Sequence, residues 1–418
     1  MMEAKAMEDN AMDKNAMDVV LFEERVCADG KRLAIATLNV PATLNALSLP
    51  MVQLLTARLQ QWASDPQVAL VLLQASGDKA FCAGGDLQQL YQSMRAHHAS
   101  AAADDCCANA YAAAFFASEY RLDYLIHRYP KPVLCWAHGV VMGGGVGLMM
   151  GASHKVVTEA TRFAMPEAAI GLFPDVGGSW MLSRLPGKTG LFLALTGAQL
   201  RSADCLYAGI ADYAIPHASR EQLIAAILRQ GWSSAGEVAA QQLSQLLRSV
   251  AMPEAVLAGP LQEAAALIDR LCEGENWQRI VQKLRDHAYT DPWLQKAAAN
   301  LHKAAPLSLA LAWEAQRRAA TMSLEQVFQM EYVLALRCAA HSDFAEGIRA
   351  LLIDKDGKPQ WQPADLQQLT AAHAEALVAA MFAAPDWPQH PLHDLAQPEV
   401  SGQQNKHNKH INLEEQAA

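Results

Sequence analysis

The sequence predicts a mixed α/β fold of repeated ββα units followed by a helical C-terminal region. Three observations carry this. Short apolar strand-like runs and amphipathic stretches recur in the order strand, strand, helix. Two glycine-rich loops each follow a strand. From about Ser219 onward the pattern is mostly helical. Composition agrees: of 418 residues 52% are hydrophobic and 18% charged. Much of the apolar content is alanine, the best helix former.

The pattern divides the chain into a tail at residues 1–18, a core at 19–218, a helical region at 219–396 packed on that core, and a second tail at 397–418. The first tail repeats an Ala-Met pentad (Ala6-Met7-Glu8-Asp9-Asn10, then Ala11-Met12-Asp13-Lys14-Asn15) with little to bury, and the second is polar; both are expected to be disordered. Structure is expected to begin with a strand at Leu33–Leu38. A helix follows, capped by Ser48 with Pro50 in its first turn, and Met51, Leu54, Leu55, Leu59 and Trp62 share one face. Val68–Leu73 reads as a buried strand. The loop Ala80-Phe81-Cys82-Ala83-Gly84-Gly85-Asp86 leads into helical sequence, and a second helix spans Tyr111–Ile126. A strand at Val133–Trp136 precedes the second loop, from His138-Gly139 to Gly143-Gly144-Gly145, and a helical run Val146–Met150. Strands are expected near Lys155–Val157 and Arg162–Ala164, and an amphipathic stretch over Met322–Leu352.

Several function classes are disfavoured. A net charge of −10 argues against nucleic acid or an anionic membrane as partner. No apolar run reaches the roughly 20 residues of a membrane span. The first residues hold no apolar targeting core and no arginine before Arg25, which points to the cytoplasm. Eight scattered cysteines without CxxC spacing read as reduced thiols; the adjacent Cys106 and Cys107 leave a redox role open. GxSxG, HExxH, GxGxxG, P-loop and EF-hand patterns are absent, so neither a metal nor a separate cofactor is expected.

What remains is acyl chemistry. Glycine lets backbone approach a ligand closely, and free N–H groups at a helix start carry partial positive charge. Two such groups aimed at one point would form an oxyanion hole; tight turns are the plainer explanation for either loop alone. In Met165–Gly178 the only charged side chains are Glu167 and Asp175, set among Pro, Gly and apolar residues. Desolvation there would raise their pKa values and suit acid–base work, although spacing alone cannot bring them together. His138 reads as a structural histidine.

Taken together, Leu44-Asn45-Ala46-Leu47, Ala80–Asp86, Met142–Leu148, Met165–Gly178, Ala194-Leu195-Thr196-Gly197 and Ala208-Gly209-Ile210-Ala211 resemble the crotonase superfamily of acyl-CoA enzymes, in the family's order. Gly171–Gly178, Phe115–Tyr120, Met330-Glu331-Tyr332, Glu346–Ala350 and Asp354–Asp356 are most similar to its 3-hydroxyisobutyryl-CoA hydrolase branch. The resemblance spans roughly residues 20–368 and implies a crotonase-like spiral of ββα units. It implies hydrolysis of a short β-hydroxyacyl-CoA thioester in valine breakdown, with coenzyme A part of the substrate. By the same resemblance Gly85 and Gly144 N–H form the oxyanion hole, and Glu167 and Asp175 are the catalytic carboxylates. Glu119 lines the substrate pocket, and adenine lies near Ala46 and Leu47. Enoyl-CoA hydratases carry two glutamates, the first where this chain has Gly147 and the second corresponding to Glu167, and they have glycine where it has Asp175. An enoyl-CoA isomerase and a non-catalytic acyl-CoA-binding protein are the alternatives, and homo-oligomerisation is left open.

Overall fold

The computed structural model describes residues 19–252, 259–366, 368, 369 and 371–396. The expected disordered tails at 1–18 and 397–418 lie outside the described residues.

Among the described residues, two sheets organise the chain. The larger has the order β1-β2-β3-β5-β7-β9, formed by β1 (Val20–Val26), β2 (Arg32–Leu38), β3 (Val68–Ala75), β5 (Val133–Ala137), β7 (His154–Val157) and β9 (Tyr213–Ala214). β1 runs antiparallel to β2, and the other neighbours are parallel. The smaller sheet is all parallel, in the order β4 (Ala80–Cys82), β6 (Val140–Met142), β8 (Arg162–Ala164). Four strands escape the sequence reading, which took β4 as part of a loop. β1 is an edge strand with only Val20 buried, so it lacks an apolar stripe. β4, β6 and β9 hold three, three and two residues, too few to show a period.

The large sheet is apolar on both faces, as parallel sheets covered on both sides are. Leu33, Ile35, Leu70, Leu72, Leu134 and Trp136 point one way, toward α8 (Arg220–Leu228) and α9 (Gly236–Val250). Ala34, Ala36, Val71 and Leu73 point the other way into the main core. There they meet α1 (Leu49–Ser64), which starts where expected, with Ser48 Oγ accepting from the Met51 N–H at 3.4 Å. The remaining core helices are α2 (Leu87–His98), α3 (Ala110–His127), α4 (Gly144–Gly151), α5 (Gly178–Leu182), α6 (Thr189–Thr196) and α7 (Ser202–Tyr207).

The C-terminal region adds α10 (Pro260–Leu271), α11 (Trp277–Asp286), α12 (Pro292–Leu301), α13 (Pro306–Ala319), α14 (Leu324–Ala340), α15 (Ser342–Ile348) and α16 (Ala371–Phe382). Their buried side chains join the same apolar core as the strands. The amphipathic stretch expected over Met322–Leu352 is broken at His341, and a π-helical turn, Arg349–Ile353, ends it. No helix is long and apolar enough to cross a membrane among the described residues.

One consequence of this topology sets the site. β4, β6 and β8 are parallel neighbours, so their C-terminal ends lie side by side. The Ala83–Asp86 loop, Gly143-Gly144 and Met165-Pro166-Glu167 leave from those three ends.

Candidate active site

The two glycine loops face each other. A methyl group added at Gly143 would lie 3.1 Å from Gly84 Cα and 3.6 Å from Glu167 Oε1. The first loop is fixed by Leu47, whose N–H donates to Gly84 O and whose carbonyl accepts from the Asp86 N–H, both at 2.8 Å. Asp86 then caps α2 by accepting from the Gln89 N–H at 3.1 Å. Gly144 is the first residue of α4, where helix geometry leaves the N–H without an internal acceptor. Neither the Gly85 nor the Gly144 N–H donates to another group among the described residues. Both are therefore available to a carbonyl oxygen.

Five acids surround this point: Glu119, Asp123, Glu167, Asp175 and Glu331, each 4% exposed or less. None forms an ion pair with a cation among the described residues. Burial, and then the charge of Asp175, pushes the Glu119 and Glu167 carboxyls well above the usual range. Asp123 is pushed up by burial first and by Glu119 next. Asp175 is raised to about 6 by burial, opposed by the Tyr120 O–H that donates to its Oδ2 at 2.7 Å. Glu331 is raised to about 8 by burial and Asp175, opposed by the Gly177 and Ser179 N–H groups. These donate to its carboxylate at 2.7 and 3.0 Å. Asp175 therefore ionises first, and its charge helps keep protons on its neighbours.

The wall opposite Glu167 is a match between two helices. Glu119 and Asp123 lie four residues apart on α3; Gly144 and Gly147 lie three apart on α4. Both spacings keep a pair on one helix face. A methyl at Gly144 would collide with Glu119 Oε1, and one at Gly147 would lie 2.5 Å from Asp123 Oδ2. The Asp123 carboxyl thus fills the space where a side chain at position 147 would begin. Glu119 Oε1, Glu167 Oε2 and both Asp123 oxygens have no hydrogen-bond partner among the described residues.

The structure brings Glu119, Gly144, Glu167 and Gly85 to one place, and Asp175 to within electrostatic reach of both glutamates. Tyr120, Asp123 and Glu331 were missed. The Glu119–Asp123 spacing was a usable signal; Glu331 stood in the resembling segment Met330-Glu331-Tyr332, but no local spacing ties it to its partners, 154 and 152 residues away. Leu47 is fully buried, its side chain against Gly144. Ala46 is half-buried. Nearby, a groove of about 440 Å³ is lined by Leu44, Asn45, Ser76, Gly77, Lys79 and their neighbours. His138 is structural: its Nε2 meets Gly77 O at 2.7 Å and burial pushes its pKa down. All eight cysteines are free. Asp105, Cys106 and Cys107 place ligand-type atoms within 4.8 Å of one another. Burial pushes the Cys106 thiol up to about 11, away from the thiolate that metal or redox chemistry needs.

Residues 33–378 match the family described as enoyl-CoA hydratase/isomerase. Among curated relatives, the chain is 38% identical to mitochondrial 3-hydroxyisobutyryl-CoA hydrolase of Danio rerio, over 80% of this chain and 84% of that protein. For the enzyme of that name from Gallus gallus the figures are 39%, 80% and 83%. Among solved structures, one described as a carnitinyl-CoA dehydratase from Mycobacterium thermoresistibile is 36% identical with a TM-score of 0.74, covering 88% of this chain and 97% of that one. Another, described as an enoyl-CoA hydratase from Rhodobacter sphaeroides, is 35% identical with a TM-score of 0.71, covering 86% and 97%. The relatives' names place them in mitochondria, which overturns the cytoplasmic location expected from the sequence. A cellular address is read by receptors and leaves no mark on a fold, so the absence of early arginines was weak ground.

Proposed function

From its membership of the enoyl-CoA hydratase/isomerase family, we propose that this chain is a coenzyme A thioester hydrolase acting on 3-hydroxyisobutyryl-CoA. The observation that carries the chemistry is the convergence of two unoccupied backbone donors with Glu167 at the ends of parallel strands. The substrate is the one named for the curated relatives, and its place is in valine breakdown. The products are coenzyme A and 3-hydroxyisobutyrate, and no further cofactor takes part. The groove beside Ala46 holds the nucleotide end, with Lys79 near its phosphates.

Mechanism follows from where the charge sits. Gly85 and Gly144 N–H polarise the thioester carbonyl. Asp175, ionised and oriented by Tyr120, takes a proton from the attacking water. The tetrahedral oxyanion rests on the two N–H groups; a lost donor of this kind costs roughly 10²–10³ in rate. Glu167, still protonated, gives its proton to the departing sulfur, and Glu119 borders the acyl group. A single turnover in ¹⁸O-water is expected to label the hydroxy acid and leave Glu167 unlabelled; label in Glu167 would mean attack by that carboxylate through an anhydride.

A second reading, hydration or dehydration of an acyl-CoA, is favoured by the descriptions of the two solved neighbours and by Asp123 beside Gly147. One experiment separates them: incubate the protein with 3-hydroxyisobutyryl-CoA, crotonyl-CoA and a 3-enoyl-CoA, and identify products by liquid chromatography with mass detection. Free coenzyme A and 3-hydroxyisobutyrate are expected. Hydrated crotonyl-CoA with the thioester intact would replace hydrolysis with the second reading.

A further inference from the structure

Glu331 stands apart from the other acids. It lies on α14, outside the strand core, yet it is fully buried and grips two backbone amides of the segment after Asp175. That segment is held in an unusual shape. Val176, a β-branched residue, has φ +53°, in a region such side chains seldom enter. Strain of this kind persists only where surrounding contacts over-determine it. Two such contacts lie within the turn: Gly178 N–H donates to Asp175 O at 2.6 Å, and Ser179 Oγ donates to Pro174 O at 3.3 Å. The Phe328 ring, one turn before Glu331, lies where a methyl at Gly177 would be 3.2 Å away. Asp175 therefore sits on a strained turn bounded by the Glu331 carboxylate on one side and the Tyr120 hydroxyl on the other.

We infer that Glu331 is a positioning residue for the thioester hydrolysis: by holding the Gly177 and Ser179 amides it fixes the direction in which Asp175 presents its carboxylate. This rests on the hydrolase reading above and extends it, since it gives the C-terminal helices a part in the reaction. The titratable groups facing Glu331 are Asp175, Glu167, Asp123 and Tyr120. As pH rises through about 8, Glu331 loses its proton. A charged carboxylate accepts N–H bonds more strongly, so the grip tightens.

The test is Glu331→Gln in the full chain, followed by turnover of 3-hydroxyisobutyryl-CoA from pH 5 to 9 and by amide hydrogen exchange of the segment containing Gly177 and Ser179. The glutamine keeps one acceptor and turns an NH₂ group toward the other amide. The expected result is a kcat lower by roughly 10- to 100-fold with KM changed less than about threefold, faster exchange at the two amides, and loss of the rise near pH 8. The Asp175 step near pH 6 stays. Glu331→Asp, which keeps the charge and reaches one amide, is expected to recover part of the rate, and it serves if the glutamine variant does not fold. An unchanged kcat, or a loss with exchange and pH profile unaltered, would overturn the inference. A parent chain that hydrolyses no thioester would sink the hydrolase reading instead, and the exchange measurement would still decide whether Glu331 holds the turn.

Discussion

The acids of the α3 wall and the acids around the Asp175 turn are equally buried and oppositely served. Glu119 and Asp123 leave three oxygens without a donor among the described residues, and their carboxyls are pushed well above the usual range. Asp175 has the Tyr120 hydroxyl and Glu331 has two backbone amides. A buried carboxylate without donors keeps its proton, whereas one given donors can carry charge. Below about pH 8 the site thus has a neutral wall and a turn whose charge sits on Asp175, with Glu331 still protonated.

The largest effects expected are those that test this division directly. Asp175→Asn and Glu167→Ala should each lower kcat by roughly 10²- to 10⁴-fold, the usual worth of an acid or base in the transition state. Asp123→Asn replaces a neutral acid by a neutral amide and should cost less than about tenfold. If steady-state turnover showed all three equally damaged, the wall would be as charged as the turn.

Tyr120→Phe sharpens the same point. Removing the hydroxyl favours the protonated form of Asp175, so the acid limb of kcat/KM should move upward from about pH 6. A lost hydrogen bond worth about 1.4 kcal/mol moves that limb up by about one pH unit, so at pH 6 the loss should be about fivefold, and it should shrink by pH 8. The sign for stability runs the other way from activity. Asp175 binds its proton more tightly in the folded chain than in the unfolded one, so stability is present at low pH and lost as pH rises from 3.8 to about 6. The loss amounts to about 3 kcal/mol. Denaturant melts across that window should show the decline in the parent and a smaller one in Asp175→Asn.

The smallest effect concerns the wall alone. Gly147→Ala should destabilise the fold by about 1–3 kcal/mol, because the new methyl meets the Asp123 carboxyl. Asp123→Ala in the same chain should recover at least half of that. A double-mutant cycle on unfolding free energies reads the coupling; purely additive losses would show that Asp123 and Gly147 do not share that space.

Much of this was legible in the residues. Ser48, Pro50 and the Met51–Trp62 stripe define α1 because capping and a 3.6-residue period are local rules. The glycine loops announced themselves for the same reason: backbone that must approach a ligand or a neighbouring helix allows no side chain. Charge-rich β1 and three-residue β6 had no such period, and they became strands only because a neighbouring strand was there to pair with.

By itself the sequence determined the ββα pattern, the two glycine loops after strands, and Glu167 and Asp175 as lone charges among Pro, Gly and apolar residues, since each follows from residue type and short-range spacing. Only the tertiary structure decided that α3 lays its acids on the glycines of α4, that Tyr120 orients Asp175, and that Glu331 reaches back across 154 residues to hold the Gly177 amide. Those contacts depend on which helix faces meet, and facing is set by how the whole core packs, which no local period encodes.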